Sequence, residues 1–333
     1  MKAMVLAAGH GLRMRPLTLL RAKPVLPVLN RPLLDWTLLR LRQAGVREVV
    51  VNLHHLPETV ESALGDGRRL GLHIHYSREK TLLGTGGAPR AVRDFFGEEP
   101  FLLVNGDVLF EMDLGALAQR HRQSGACATL ALRPNPDPAT YSPVVSDRRG
   151  RILSIGGRPC PAQGTVSLFA GVHVMEPALL ERLPEGGSDS VRDLYLPLLA
   201  EGAFLQGVRT RGAWFDLGRP SLYLAAQLRL LRGRTLVDRT VHVAIGAQVR
   251  RSVLGPGVTV GRQARVEDSV AWEEARIAPG AFVRGSIVAS GAEVLEGERA
   301  ERVIVMPAGA VAGLGESGGP VQRRGGRAWV EIA

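Results

Sequence analysis

From residue 1 to about 232 the chain alternates short apolar runs with amphipathic stretches. Met4-Val5-Leu6 opens as a buried strand. "EVVVNL" (48–53) precedes the helical pattern "PETVESAL" (57–64), and "HIHYS" (73–77) precedes "GTGGAPRAVRDFF" (84–96), whose second half is predicted helical. "FLLVNGD" (101–107) precedes helix "LGALAQRHRQSG", and strand "CATLALR" follows, with shorter strands around Val144 and Ile152. "LFAGVHVM" (168–175) leads to "PALLERL", then helix "VRDLYLPLLAEG", strand "FLQGVRT" and helix "SLYLAAQLRLLRG". Strands alternating with helices predict a parallel sheet covered on both faces, with ligands beyond the carboxyl ends of its strands. Gly9, Asn105-Gly106-Asp107 and Ala170-Gly171 are expected at or near such ends.

The last third has another period. From Gly246 the chain can be cut every 17 residues, beginning "GAQVRRSVLGPGVTVGR". Three apolar columns stack: Val249, Val266, Val283, Ala300; Val253, Val270, Ile287, Ile304; and Val260, Ile277, Val294, Val311. One coil cannot bury its own inward residues, but stacked coils share a core, so a three-sided parallel β-helix is predicted. No histidine follows His242, so an acyltransferase role for the coils is not expected. The tail "QRRGGR" (322–327) reads as a loose end or a small cap. The expected domains are therefore 1–234, 235–313 and a tail, 314–333.

The chemistry is concentrated in "AAGHGLRMRPLT". Gly9-His10-Gly11 lets backbone amides approach an anion. A dinucleotide fingerprint needs a third glycine where Met14 stands. Arg13, Arg15 and Lys23 supply instead the positive charge that suits a triphosphate. Only Lys2, Lys23 and Lys80 are lysines among 42 basic residues, so a lysine kept just after this loop is informative. A compact ammonium fits among phosphate oxygens differently from a planar guanidinium. The net charge of +10 comes from scattered arginines without interleaved aromatics, which argues against nucleic acid. No apolar run reaches membrane-spanning length and no signal peptide is expected. Cys127 and Cys160 show no metal spacing, so a reducing, cytoplasmic setting is expected. His73 and His75 share one strand face but lack a third ligand, and His54 and His55 read as structural.

Five motifs in order carry a resemblance: "LAAGHGLRMRPLT" with Lys23-Pro24, "LGTGGA" (83–88), "NGD" (105–107), "FAGV" (169–172) and "WFDLGRPSLY" (214–223). Residues 1 to about 232 resemble the sugar-1-phosphate nucleotidyltransferases. The coils are similar to the left-handed hexapeptide β-helix of mannose-1-phosphate guanylyltransferases and glucose-1-phosphate pyrophosphorylases, and the catalytic block is also similar to the shorter N-acetylmuramate-1-phosphate uridylyltransferases. The resemblance implies an α/β fold with a Rossmann-like, mostly parallel sheet followed by that β-helix. It implies the reaction of a nucleoside triphosphate with a sugar 1-phosphate, giving a nucleotide sugar and pyrophosphate.

It also implies site residues. Arg13, Lys23 and Asp107 would be catalytic, and Asp107 with Asp216 would hold Mg²⁺. The nucleotide would meet Leu6, Ala7, Ala8, Gly9, Gly11, Arg13, Lys23, Gly84 and Gly87. Glu79 either reads the base edge or is solvated, and the glycines of "GTGGA" either back the base or serve packing. Asn105, Gly106, Ala170 and Gly171 would meet the sugar phosphate. The family's lysine in an "EKP" segment is absent; the comparable stretch is "SIGGRPCP" (154–161), where Arg158 is the candidate substitute. GTP with mannose 1-phosphate is the first expectation. UTP with a glucose-type or N-acetylmuramic sugar, or a catalytically silent regulatory homologue, are the alternatives. A homo-oligomer through the β-helix is expected from apolar flank residues such as Leu254, Trp272 and Phe282.

Overall fold

The computed structural model describes residues 1–160, 163–311, 321–324 and 326–332. The chain divides into two compact units, Met1–Gly9 with Leu34–Trp214, and His10–Leu33 with Phe215–Ala333. No helix among the described residues is long and apolar enough to cross a membrane.

The first unit is built on one sheet. Its strands are β1 (Ala3–Leu6), β2 (Glu48–Leu53), β3 (His73–Arg78), β4 (Phe101–Asn105), β5 (Ala128–Arg133), β6 (Pro143–Ser146), β7 (Ile152–Ile155), β8 (Thr165–Met175) and β9 (Leu205–Arg209). They lie in the order β7-β6-β8-β4-β1-β2-β3, with β5 on β8 and β9 on β5. The run β4-β1-β2-β3 is parallel, as is the β5–β9 pair. Strand β8 runs antiparallel to β4, β5 and β6. Continuous apolar runs such as Phe101–Val104, 0% exposed, are what a sheet covered on both faces requires.

The antiparallel direction of β8 corrects one expectation. Ala170 and Gly171 lie inside β8, at a register shift between Phe169 and His173, and not at a strand's end. They reach the level of Asn105 because β8 runs the other way, pairing Val172 with Val104. Helix Gly84–Ala91 begins on the glycines themselves and not in the second half of the motif. Residues 190–195 form a π-turn before a short helix, Leu196–Ala200. Asp113 caps helix Leu114–Ser124 by accepting from Ala116 N, which leaves Asp107 in a turn after β4.

In the second unit, stacked parallel strands form the three faces of a left-handed β-helix. Each coil bends at residues in the left-handed region: Gly246, Gln263, Gly280 and Gly297; Arg251, Asp268, Gly285 and Arg302; Gly257, Glu274 and Gly291. Two of the three apolar columns face the core: Val249, Val266, Val283 and Ala300, and Val260, Ile277 and Val294. The side chain of Val311 lies outside the described set.

The second column is off by one residue. The inward set is Leu254, Ala271, Val288 and Val305. Val253, Val270, Ile287 and Ile304 point the other way and are nevertheless 0–1% exposed. Because strand side chains alternate, a slip of one residue exchanges the two faces. This face of the β-helix is apolar on both sides. Buried serines line its edge: Ser252, Ser269 and Ser286 each accept a 3.1 Å bond from the backbone N–H 17 residues on. The last coil is closed by strand Arg327–Glu331, antiparallel to Val303–Pro307 and paired with Val321–Arg324, which satisfies an edge that would otherwise be open. The tail is therefore a cap where it is described; residues 312–320, 325 and 333 lie outside the described set.

Candidate functional site

In the first unit the carboxyl ends of β4, β1 and β2 align, with Leu6 in register with Asn105 on one side and Asn52 on the other. Hydrogen bonds lock this edge. Gly106 N donates to Leu6 O at 2.9 Å, and a Cβ at Gly106 would lie 2.6 Å from that oxygen. Gly171, at φ +74°, lies against Asn105, whose Nδ2 is 2.9 Å from where a Cβ would stand. Asn105, Gly106 and Gly171 are thus brought together, with Gly106 and Gly171 buried and Asn105 half-buried. Ala170 is 0% exposed and its carbonyl accepts from Trp214 Nε1 at 3.0 Å, so it supports this edge from inside and does not line a ligand surface.

The same edge corrects several expected nucleotide contacts. Ala7 and Ala8 are 4% and 5% exposed, and the Ala7 N–H donates to Asn52 Oδ1 at 2.7 Å. The solvated alternative for Glu79 falls, since it is 8% exposed. Its carboxylate accepts from Asn52 Nδ2 at 2.7 Å and from Leu83 N at 2.9 Å. Glu79 and Asn52 therefore form a relay that pins the loop before residue 84 to strand β1. Asn52 was not singled out in the sequence, although a polar residue at the end of "EVVVNL" is the signal that marks it.

The glycines of "GTGGA" have a packing reason. A Cβ at Gly87 would stand 2.1 Å from Gly186 O, and one at Gly84 2.5 Å from Ser188 O. Gly87 is buried, so it is not open to a ligand, whereas Gly84 is exposed. Thr85 donates to Asp189 at 3.1 Å and accepts from Ser190 N at 2.8 Å, which fixes the π-turn against this helix.

Arg158 follows a tight turn, Ile155–Arg158, through Gly156 and Gly157 at φ +60° and +76°. It lines a cavity of about 340 Å³ with Tyr141, Ser142, Phe169 and Asp189. That setting combines a cation, a carboxylate, hydroxyls and an aromatic wall, a lining able to hold a polar ring. Nearby, His173 is fully buried, is hydrogen-bonded through Nδ1 to the Tyr195 hydroxyl, and is pushed down to about 3 by burial.

In the second unit the phosphate-loop residues gather. Met14, at the place of the missing third glycine, is 1% exposed and anchors the turn Leu12–Met14, while Arg13 stays exposed. Gly11 takes φ +61°; a Cβ there would be 2.8 Å from Thr18 Cγ2 and 3.3 Å from Lys23 Cβ. Thr18 Oγ1 donates to Gly11 O at 3.0 Å. Lys23 opens a 3₁₀ turn, Lys23–Val25, and is 8% exposed. Asp216 Oδ1 and the Arg13 guanidinium carbon lie 2.9 and 3.5 Å from the point a Cβ at Gly218 would occupy. Arg13 and Asp216, about 200 positions apart in sequence, share one glycine-lined corner. Among the described residues no group of three histidines, cysteines or acids is placed to hold a metal. Mg²⁺ needs no such cage, because it commonly binds through one or two carboxylates together with substrate phosphates. Asp107 in the first unit and Asp216 in the second are each half-buried carboxylates, the donor type that Mg²⁺ takes.

The comparisons agree with this arrangement. Residues 2–233 match the model described as nucleotidyl transferase, and 233–301 match a GlmU-like C-terminal hexapeptide model. The chain is 32% identical to a mannose-1-phosphate guanylyltransferase of Mycobacterium tuberculosis, over 84% of this chain and 82% of that one. It is 30% identical to a UTP–glucose-1-phosphate uridylyltransferase of Synechocystis, over 86% and 87%. A crystal structure from Bacillus anthracis, described as a glucose-1-phosphate thymidylyltransferase, shares the fold with a TM-score of 0.60 at 22% identity, covering 69% of this chain and 95% of that one. The chain belongs to the nucleotidyl transferase family, as a sugar-1-phosphate nucleotidyltransferase with a hexapeptide-repeat domain after the catalytic block.

Proposed function

We propose that this chain is a mannose-1-phosphate guanylyltransferase that makes GDP-mannose from GTP and mannose 1-phosphate. The observation that carries the reading is the gathering of Gly11, Arg13, Lys23 and Asp216 in one unit. The guanylyltransferase relative at 32% identity supports the choice of base and sugar.

In this reading a phosphate oxygen of the sugar attacks the α-phosphorus, the bond to the β-phosphate oxygen breaks, and pyrophosphate leaves. Backbone amides around Gly9 and Gly11 and the side chains of Arg13 and Lys23 hold the triphosphate and offset the charge that develops on the leaving group. Lys23, nearly buried and preceded by a fixed turn, acts as a fixed point charge. Asp107 and Asp216 would hold Mg²⁺, which would supply Lewis-acid charge neutralisation on the phosphates. Arg158 receives the sugar phosphate in place of the missing lysine, and the cavity bounded by Phe169 and Tyr141 orients the ring. We place the enzyme in the cytoplasm as a homo-oligomer assembled through the β-helix.

A second reading, UTP with glucose 1-phosphate, is favoured by the Synechocystis relative. Pyrophosphate release from each triphosphate with each sugar 1-phosphate separates the two. The highest kcat/KM is expected for GTP with mannose 1-phosphate. A preference for UTP with glucose 1-phosphate replaces the first reading by the second, and no release with any pair points to a silent homologue.

A further inference from the structure

Lys23 sits in a segment that is tied to the β-helix. Arg21, two residues before it, donates to Ser290 Oγ at 2.7 Å and to Glu273 Oε1. Its guanidinium lies over the Trp272 ring, 5.1 Å from the centroid. Ser290 Oγ also donates to Glu273 at 2.7 Å, so Arg21 closes a three-residue cluster. Burial pushes the Glu273 carboxyl up, but the hydrogen bonds from Ser290 and Arg21 and the charge of Arg21 hold it below its ordinary value. Trp272 is 1% exposed and donates through Nε1 to the Tyr223 hydroxyl at 3.0 Å. Tyr223 in turn donates to Pro27 O. Beyond Lys23, Leu29 N donates to Gln227 and Asn30 Nδ2 to Leu254 O, each at 2.9 Å.

The β-helix departs from its own pattern where this segment docks. In the 17-residue register, Glu273 and Ser290 take the place that is proline in the flanking coils, Pro256 and Pro307. Trp272 takes the place of Gly255, Ala289 and Met306. Coil stacking does not ask for a carboxylate, a hydroxyl and an indole at these corners; an arriving arginine does.

We propose that Trp272, Glu273 and Ser290 of the β-helix, acting through Arg21, are positioning residues that hold Lys23 in place for nucleotidyl transfer. The proposal rests on the transfer reading for its consequence, but the anchor itself can be read without activity. Lysine acetylation of the full-length chain, followed by peptide mass spectrometry, reports Lys23 against Lys2 and Lys80 as internal references. In Arg21→Met and Glu273→Gln the acetylation rate at Lys23 is expected to rise several-fold while Lys2 and Lys80 stay unchanged. In the same variants kcat is expected to fall about tenfold to a hundredfold, the loss that a small displacement of a catalytic group produces. Arg21→Lys keeps the charge without the stacked plane and is expected to fall between. Ser290→Ala, which removes one hydroxyl, gives the same test if the other variants fold poorly. Unchanged Lys23 acetylation in Arg21→Met and Glu273→Gln overturns the proposal, as does an equal rise at all three lysines, which would report general loosening. A wild-type chain that releases no pyrophosphate while Lys23 still responds overturns the transfer reading and leaves the anchor standing.

Discussion

At the scale of single residues, Lys23 and Asp216 make opposite demands. Lys23 is 8% exposed beside Gly11, so its ammonium has little room for a larger head group. Lys23→Arg keeps the charge and is expected to lower kcat by about tenfold or more, because a planar fork replaces a compact charge. Steady-state pyrophosphate release checks this, and wild-type kinetics would make the lysine incidental. Asp216→Asn keeps the shape and removes the charge that would hold Mg²⁺. Turnover should fall by about a hundredfold or more with an unchanged circular-dichroism spectrum. A fully active Asp216→Asn enzyme would remove this carboxylate from the metal site. The sequence motifs singled out Arg13, Lys23 and Asp216, and all three lie in one compact unit. They did not show that Ala7, Ala8 and Gly87 are buried, or that Glu79 serves Asn52 and Leu83, because a motif records which residues recur and not which way each one faces.

At the scale of elements, pattern reading succeeded where one period ruled and failed by one residue where two did. Columns at Val266 and Val260 were legible since only one face of those strands is buried. The third face is buried on both sides, so the alternation that would fix its inward set is missing, and Val270 was read for Ala271. Strand β8 posed a related problem, being buried along most of its length and silent about its direction. It also carries the clearest pH dependence. Burial holds His173 at about 3, well below the 6.5 of an exposed imidazole, so the unfolded chain binds a proton that the folded chain refuses between those values. Its stabilising contribution is complete above pH 6.5 and is lost progressively as pH falls toward 3. Urea unfolding at pH 7 and pH 5 should show a drop that is about 2 kcal/mol smaller in His173→Phe than in the wild type. Equal drops in the two proteins would mean that His173 does not titrate on unfolding.

At the scale of the whole molecule, the sequence suggested a cut near Arg234 that would spare every phosphate and metal residue. Residues 10–33 nevertheless group with the C-terminal part, and Arg21, Asn30 and Tyr223 all bond to residues beyond the cut. Nothing in a linear pattern signals this, because the Arg21 and Asn30 pairings span 269 and 224 residues and the 17-residue repeat masks the odd corner at Trp272. The truncated chain is therefore expected to bind the triphosphate weakly and to show raised acetylation at Lys23. Assembly is a separate matter. Of the three expected flank residues, Leu254 and Trp272 are 0% and 1% exposed and cannot form an outer surface, and Phe282 is half-buried with the Arg299 guanidinium 4.4 Å over its ring. The exposed apolar residues of the first coil are Val237, Val243 and Ile245, the last 90% exposed. Removing the coils should thus change two things that a single charge substitution separates. Ile245→Glu is expected to lower the subunit number in light scattering while Lys23 acetylation and triphosphate binding stay as in the wild type. If Ile245→Glu keeps the wild-type subunit number, the first coil is not the assembly surface. If it disturbs Lys23 as well, the anchor at Arg21 and the assembly surface are one system and not two.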